Sequence, residues 1–83
     1  MLVSAKTNSK KLAGFISKEI KSKLELVVIG AGALNQATKA IIIAKSYLAA
    51  SGYTLLVNPS FTNVTVEGEE VSGIKLVIEK LDA

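Results

Sequence analysis

The chain has 83 residues, 49% of them hydrophobic, with a mean hydropathy of +0.43 and a net charge of +3. That fits one small domain, residues 1–83, with one core, and excludes a disordered chain. It has no cysteine and no histidine, which excludes disulfides, thiolate zinc sites, cysteine nucleophiles and histidine-based triads and metal sites.

In chain order, "LVSA" (residues 2–5) reads as a short apolar first strand. The polar "KTNSKK" follows, with Asn8 or Ser9 as a helix N-cap. Leu12, Phe15, Ile16 and Ile20 recur at helical spacing and predict an amphipathic helix ending near Lys23, with Lys11, Lys18 and Lys21 on its wet side. "LELVVI" (24–29) predicts a second strand, apolar at nearly every position, as in a strand buried on both faces. Gly30 to Gly32 form a turn. A second helix is expected from about Ala33 to Ala50, with Leu34, Ala37, Ile41, Ala44 and Leu48 on one stripe. Ile42 and Ile43 fall off that stripe, and a lone protomer is expected to leave them wet. Ser51 and Gly52 end the helix.

Residues 53–66 are β-rich with Pro59 inside, which predicts an edge strand or a bulge. The apolar phase shifts from odd positions (Leu55, Val57, Phe61) to even ones (Val64, Val66), the signature of a bulge. "EGEE" (67–70) reads as a turn, and residues 71–81 as a last strand with Ile74, Leu76 and Ile78 on one face. The order β-α-β-α-β-β predicts an α/β chain, an α+β sandwich with two helices on one sheet face and a long C-terminal β-hairpin.

The longest wholly apolar run of the second helix, Ala40 to Ala44, is far short of the ~20 residues a membrane span needs. "MLVSAKTNSKK" has no apolar run long enough for a secretory leader. A cytoplasmic protein with no membrane partner is expected.

Charge is uneven. Residues 1–45 carry eight lysines against Glu19 and Glu25, whereas residues 46–83 carry Lys75 and Lys80 against Glu67, Glu69, Glu70, Glu79 and Asp82. The basic half suits a polyanion or a solvated face equally well. Every basic residue is lysine, so no arginine fork is present to read guanine edges.

"GAGALN" (30–35) opens like a dinucleotide fingerprint, but Asn35 stands where a glycine belongs. Val57 and Asn58, not an acid, end the next strand, and no Gly-Lys-Ser/Thr makes a Walker loop. A more general reading survives. A helix start offers unpaired N–H groups to an anion, and Gly30 and Gly32 allow close approach. Asn35 and Gln36 stand in the first turn as donors, with Lys39 one turn on. Equally, the glycines serve only a tight turn.

The loop after strand one holds Lys6, Asn8, Lys10 and Lys11. In a β-α-β unit the loops after both strands leave the same end of the sheet, so this loop and "GAGALNQ" are expected to be neighbours. Their convergence points to a phosphate-backbone site. The seven carboxylates form no obvious catalytic pair, so neither enzyme chemistry nor a cofactor is expected. Phe15, Tyr47 and Tyr53 read as core or interface; so does Phe61, though its irregular strand makes it the aromatic best suited to another use.

"VSAK" (3–6), "IGAGALNQATKAI" (29–41), "FT" (61–62) and "GIKLVIE" (73–79) resemble the bacterial stage V sporulation protein S family from about residue 2 to 81. That family is similar in fold to the Alba chromatin proteins. The resemblance implies an Alba-like β-α-β-α-β-β sandwich, homodimers or higher oligomers, nucleic-acid binding and a regulatory role in sporulation. In Alba-like dimers the second helix and the hairpin meet at the subunit interface, which would give Ile42, Ile43, Tyr47 and Phe61 a partner. The sequence departs from Alba at two contact regions: the loop after strand two is uncharged, and the hairpin tip carries Glu67, Glu69 and Glu70. Weak, non-specific contact with DNA or RNA is therefore expected, through Lys6, Asn8, Lys10, Lys11, Gly30, Gly32, Asn35, Gln36 and Lys39. Two other readings are a module that binds a protein through its acidic hairpin, and a small-anion or nucleotide domain at Gly30 to Asn35.

Overall fold

The computed structural model describes residues 1–83. Its elements are β1 (Leu2–Val3), α1 (Ser9–Glu19), β2 (Lys23–Val28), α2 (Ala31–Ala49), β3 (Tyr53–Val66) and β4 (Glu69–Asp82). The strands form one mixed sheet in the order β1-β2-β4-β3, with β1 parallel to β2 and the other pairs antiparallel. Both helices lie on one face, which is the expected α+β sandwich.

The core follows from alternation along each strand. Val3, Leu26, Val28, Leu55, Leu76 and Ile78 point toward the helices and are buried. Lys23, Glu25, Val27, Lys75 and Val77 point to the other side, which no element covers. β2 is thus central yet buried on one face only, contrary to its apolar pattern. Val27 and Ile29 are half-buried on the open face.

α1 ends at Glu19, earlier than expected, because Ile20 turns out of helical geometry (φ −69°, ψ 123°) to bury its side chain. The buried side of α2 is Ala33, Ala37, Ala40, Ile41 and Ala44. It is displaced from the expected stripe, and Leu34 and Leu48 are only half-buried. The displacement has a packing cause. α2 touches both the sheet and α1, and a row of alanines lets Ala13 of α1 approach closely. Ile43 also packs against the core and is not wet, while Ile42 is 60% exposed.

β3 is an edge strand, as Pro59 requires, but it contains no bulge: its register with β4 runs unbroken from Tyr53↔Asp82 to Val66↔Glu69. Glu67 and Gly68 form a two-residue loop with positive φ (51° and 80°), the geometry of a type I′ turn. The closing pair Val66 and Glu69 sets which residues bond across the ladder. Even-numbered residues of β3 direct their N–H and C=O groups at β4, and odd-numbered ones direct them outward. Pro59 is odd, so its missing N–H costs the ladder nothing. The bond from the Ala83 N–H to the Gly52 carbonyl (2.9 Å) continues the same phase. The parity shift that suggested a bulge arises because residues 62–66 and 69–73 extend past the last β2 pair, Val28↔Ile74, with no helix above them. They form a free two-stranded arm about 17 Å long at ~3.4 Å per residue, which contributes to the 42 Å long axis of the molecule.

Candidate functional site

The basic loop is built by short polar side chains. The Ser4 N–H donates to Thr7 Oγ1 (3.0 Å), the Lys6 N–H to Ser4 Oγ (3.1 Å), and the Thr7 N–H to the Ser4 carbonyl (3.1 Å). This turn presents Lys6 to solvent. Asn8 is the N-cap of α1, its Oδ1 accepting from the Lys11 N–H (3.0 Å). Its oxygen is therefore committed to the fold, and only its amide N–H2 remains for a ligand. Sequence reasoning passed over Ser4 and Thr7, though a Ser-x-x-Thr spacing is a recognisable turn signal.

The second loop meets the first directly. The Gln36 amide donates to the Thr7 carbonyl at 2.7 Å, partly buried. A Cβ built on Gly32 would stand 2.8 Å from the Ala5 Cβ, so glycine is needed there for the two segments to touch. Gly30 caps α2 with φ 87° and ψ 161°, a region essentially closed to other residues. The expected convergence of the loops is present. Gln36 spends one amide N–H as a brace between them and keeps its second N–H and its Oε1, while Gly30 and Gly32 each have a structural reason to be glycine. Replacing Gln36 with leucine leaves the Thr7 carbonyl without its partner. Stability should fall by about 1 kcal/mol, measured by urea unfolding.

A 100° advance per residue sorts the exposed side chains of the helices. Gln36, Ile43 and Tyr47 share the flank of α2 that faces the α1 side. Asn35, Lys39 and Ile42 point away from the core, and Leu34 faces the hairpin. On α1, Lys10 lies on the α2 side. Lys11 turns to the opposite flank, where it borders a shallow cleft with Met1, Thr7 and Phe15. The structure therefore groups Lys6, Lys10, Asn35 and Lys39 around the joined loops and sets Lys11 at their margin.

The residues expected at a subunit interface do not form one patch. Ile42 is exposed, and Tyr47 (51% exposed) lies toward α1. Phe61, 84% exposed, stands on the hairpin. Val57 and Pro59 lie with Phe61 on the helix-side face of β3, exposed beyond the reach of α2, an apolar strip that only the sheet register reveals.

Charge pairing is sparse. The one ion pair is Lys23 to Glu79 (3.8 Å), on the open sheet face, and Lys80 lies over the Tyr53 ring at 4.6 Å. Lys6, Lys10, Lys11 and Lys39 have no carboxylate partner, and neither Glu67, Glu69 nor Glu70 has a cation. No cluster of carboxylates suited to a metal is present, and no helix is long and apolar enough to cross a membrane.

The β-α-β-α-β-β order, the glycine-capped second helix and the long hairpin all agree with one family. The family model for stage V sporulation protein S matches residues 1–81, and the chain belongs to that family, whose members are small regulatory proteins of sporulation.

Proposed function

We propose that this protein acts in regulation by contacting nucleic acid through its sugar-phosphate backbone, without sequence specificity, as a homodimer. The observation that carries the reading is the pair of loops clamped by the Gln36–Thr7 bond, around which lysines stand with no internal counter-ion. An unpaired lysine cluster held on a fixed frame matches a phosphate backbone, and the absence of arginine fits binding that ignores base identity. The neutral loop at Gly30 to Ala33 and the acidic arm keep the number of contacts low, so the binding is weak. Support for the dimer comes from two exposed apolar surfaces that a second copy would cover, Ile42 on the outer side of α2 and Val57 with Pro59 on the helix-side face of β3.

Fluorescence anisotropy against labelled duplex DNA, single-stranded DNA and RNA tests this reading at about 50 and 200 mM salt. Four phosphate contacts per protomer give a slope of log affinity on log salt of about −2.8 for a single strand and about −3.6 for a duplex. Affinity for a single strand should then fall about 50-fold across that range. Affinity that does not move with salt, or no binding to any polymer at the lower salt, would sink the reading and leave protein contact through the acidic hairpin in its place.

A further inference from the structure

Val3, Val28, Ile74 and Phe61 form one row across the four strands, all on the helix side of the sheet. The basic loop begins at Ser4, immediately after Val3. Phe61 closes the other end of the row, three strand spacings or about 14 Å away. Between them α2 starts at Ala31. The space between the start of α2 and the arm is a groove of about 280 Å³, floored by Val28 and Ile74 and walled by Leu34 and Phe61. No charged residue lines it.

Phe61 is the most exposed large apolar side chain of the molecule, on a strand otherwise rich in polar residues at its distal end. Beyond it the arm carries Glu67, Glu69 and Glu70, and no lysine occurs between Lys45 and Lys75 to offset them. Glu67 holds φ 51° in a turn where asparagine or glycine is favoured, so the carboxylate sits there against local backbone preference.

We propose that this groove takes a single strand of nucleic acid, with Phe61 as a base-stacking platform and the acidic arm rejecting duplex. The inference rests on the nucleic-acid reading above and adds the class of polymer. Lysines at one end of a row and a protruding aromatic at the other are the two halves of single-strand recognition, backbone charge and base stacking. A duplex carries a charge every ~1.7 Å on a stiff rod. Laid across Lys6, Lys10 and Lys39, it is obliged to bring its second strand toward an arm that stands about 17 Å past the sheet and carries three unpaired carboxylates. At ~0.1 M salt that repulsion acts over about 10 Å. A flexible strand lies between the arm and the loop and avoids it. DNA and RNA share this chemistry, and the test uses both.

The experiment compares a labelled mixed-sequence DNA strand of about 20 nucleotides, the RNA of the same sequence and the DNA duplex, a length that spans one small-domain site. The single strands should bind about tenfold more tightly than the duplex. Phe61→Ala should weaken single-strand binding about tenfold and leave duplex binding unchanged. The triple change Glu67→Gln, Glu69→Gln, Glu70→Gln should raise duplex affinity and narrow the gap. Because the chain has no tryptophan, Phe61→Trp supplies a single reporter that keeps the stacking surface. Its fluorescence should be quenched by the single strand. Equal affinity for strand and duplex, or a Phe61→Ala variant that binds the strand normally, overturns this inference and leaves backbone binding standing. No binding by any polymer overturns both. A drop in molecular mass for Phe61→Ala in sedimentation assigns the groove to a second copy of the chain and overturns the proposal.

Discussion

Reversing three lysines, Lys10→Glu, Lys11→Glu and Lys39→Glu together, should reduce affinity for single-stranded nucleic acid at about 50 mM salt by at least ~100-fold. The reason is ion release. Each phosphate neutralised on a single strand contributes about 0.7 to the salt slope, so the slope should fall from about −2.8 to about −0.7, the share of Lys6 alone. The fold should survive, since all three side chains are exposed and none is in an ion pair. The single variants should be unequal. Lys10 lies on the flank of α1 beside α2, and Lys11 on the far flank near Met1 and Phe15. Lys10→Glu should therefore weaken binding more than Lys11→Glu. Anisotropy titrations at several salt concentrations measure both affinity and slope. An unchanged slope in the triple variant would remove these lysines from the site.

Gly30→Ala should destabilise the protein by about 1–3 kcal/mol, because alanine is forced into a backbone region that only glycine occupies freely. For a domain of this size each kcal/mol lowers the melting temperature by about 4–8 °C. The packing around Gly30 is open, with nothing within 4 Å of a built Cβ, so the penalty is one of conformation and not of collision. Gly14 gives the matching control. It lies inside α1 on the exposed side, also with open space around it. Gly14→Ala should therefore stabilise by about 0.5–1 kcal/mol through helix propensity. Thermal unfolding by circular dichroism reads both. If Gly30→Ala melts with the parent, the start of α2 can re-form with another cap, and its backbone does not fix the site.

Much of the fold was legible because its signals are local. The spacing of Leu12, Phe15 and Ile16 gave α1 and the Asn8 cap gave its start, whereas Gly30 alone precedes α2: Ala31 and Gly32, expected in the turn, belong to the helix's first turn. Pro59 correctly marked an edge strand. The neighbouring of the two loops followed from β-α-β connectivity and is present in the Gln36–Thr7 bond. What failed was inference from parity or size to burial. Val64 and Val66 looked like a bulge because alternation was read against a core that does not reach them. Ile43 looked wet because the sequence gives no sign that α1 lies along that flank of α2.

The sequence by itself determined the element order, the charge asymmetry, the lysine-only basic surface and the family, since each depends on residue identity and short spacing. Only the tertiary structure decided the rest. It gave Gln36 a bracing bond to the first loop, moved Lys11 to the margin, and placed Phe61 in the same row as the basic loop. Those outcomes depend on strand order and register, which join residues about 30 and 60 positions apart in the chain. No local pattern encodes which of two distant side chains will share a face, because that is set when the hydrophobic faces of sheet and helices close on one another.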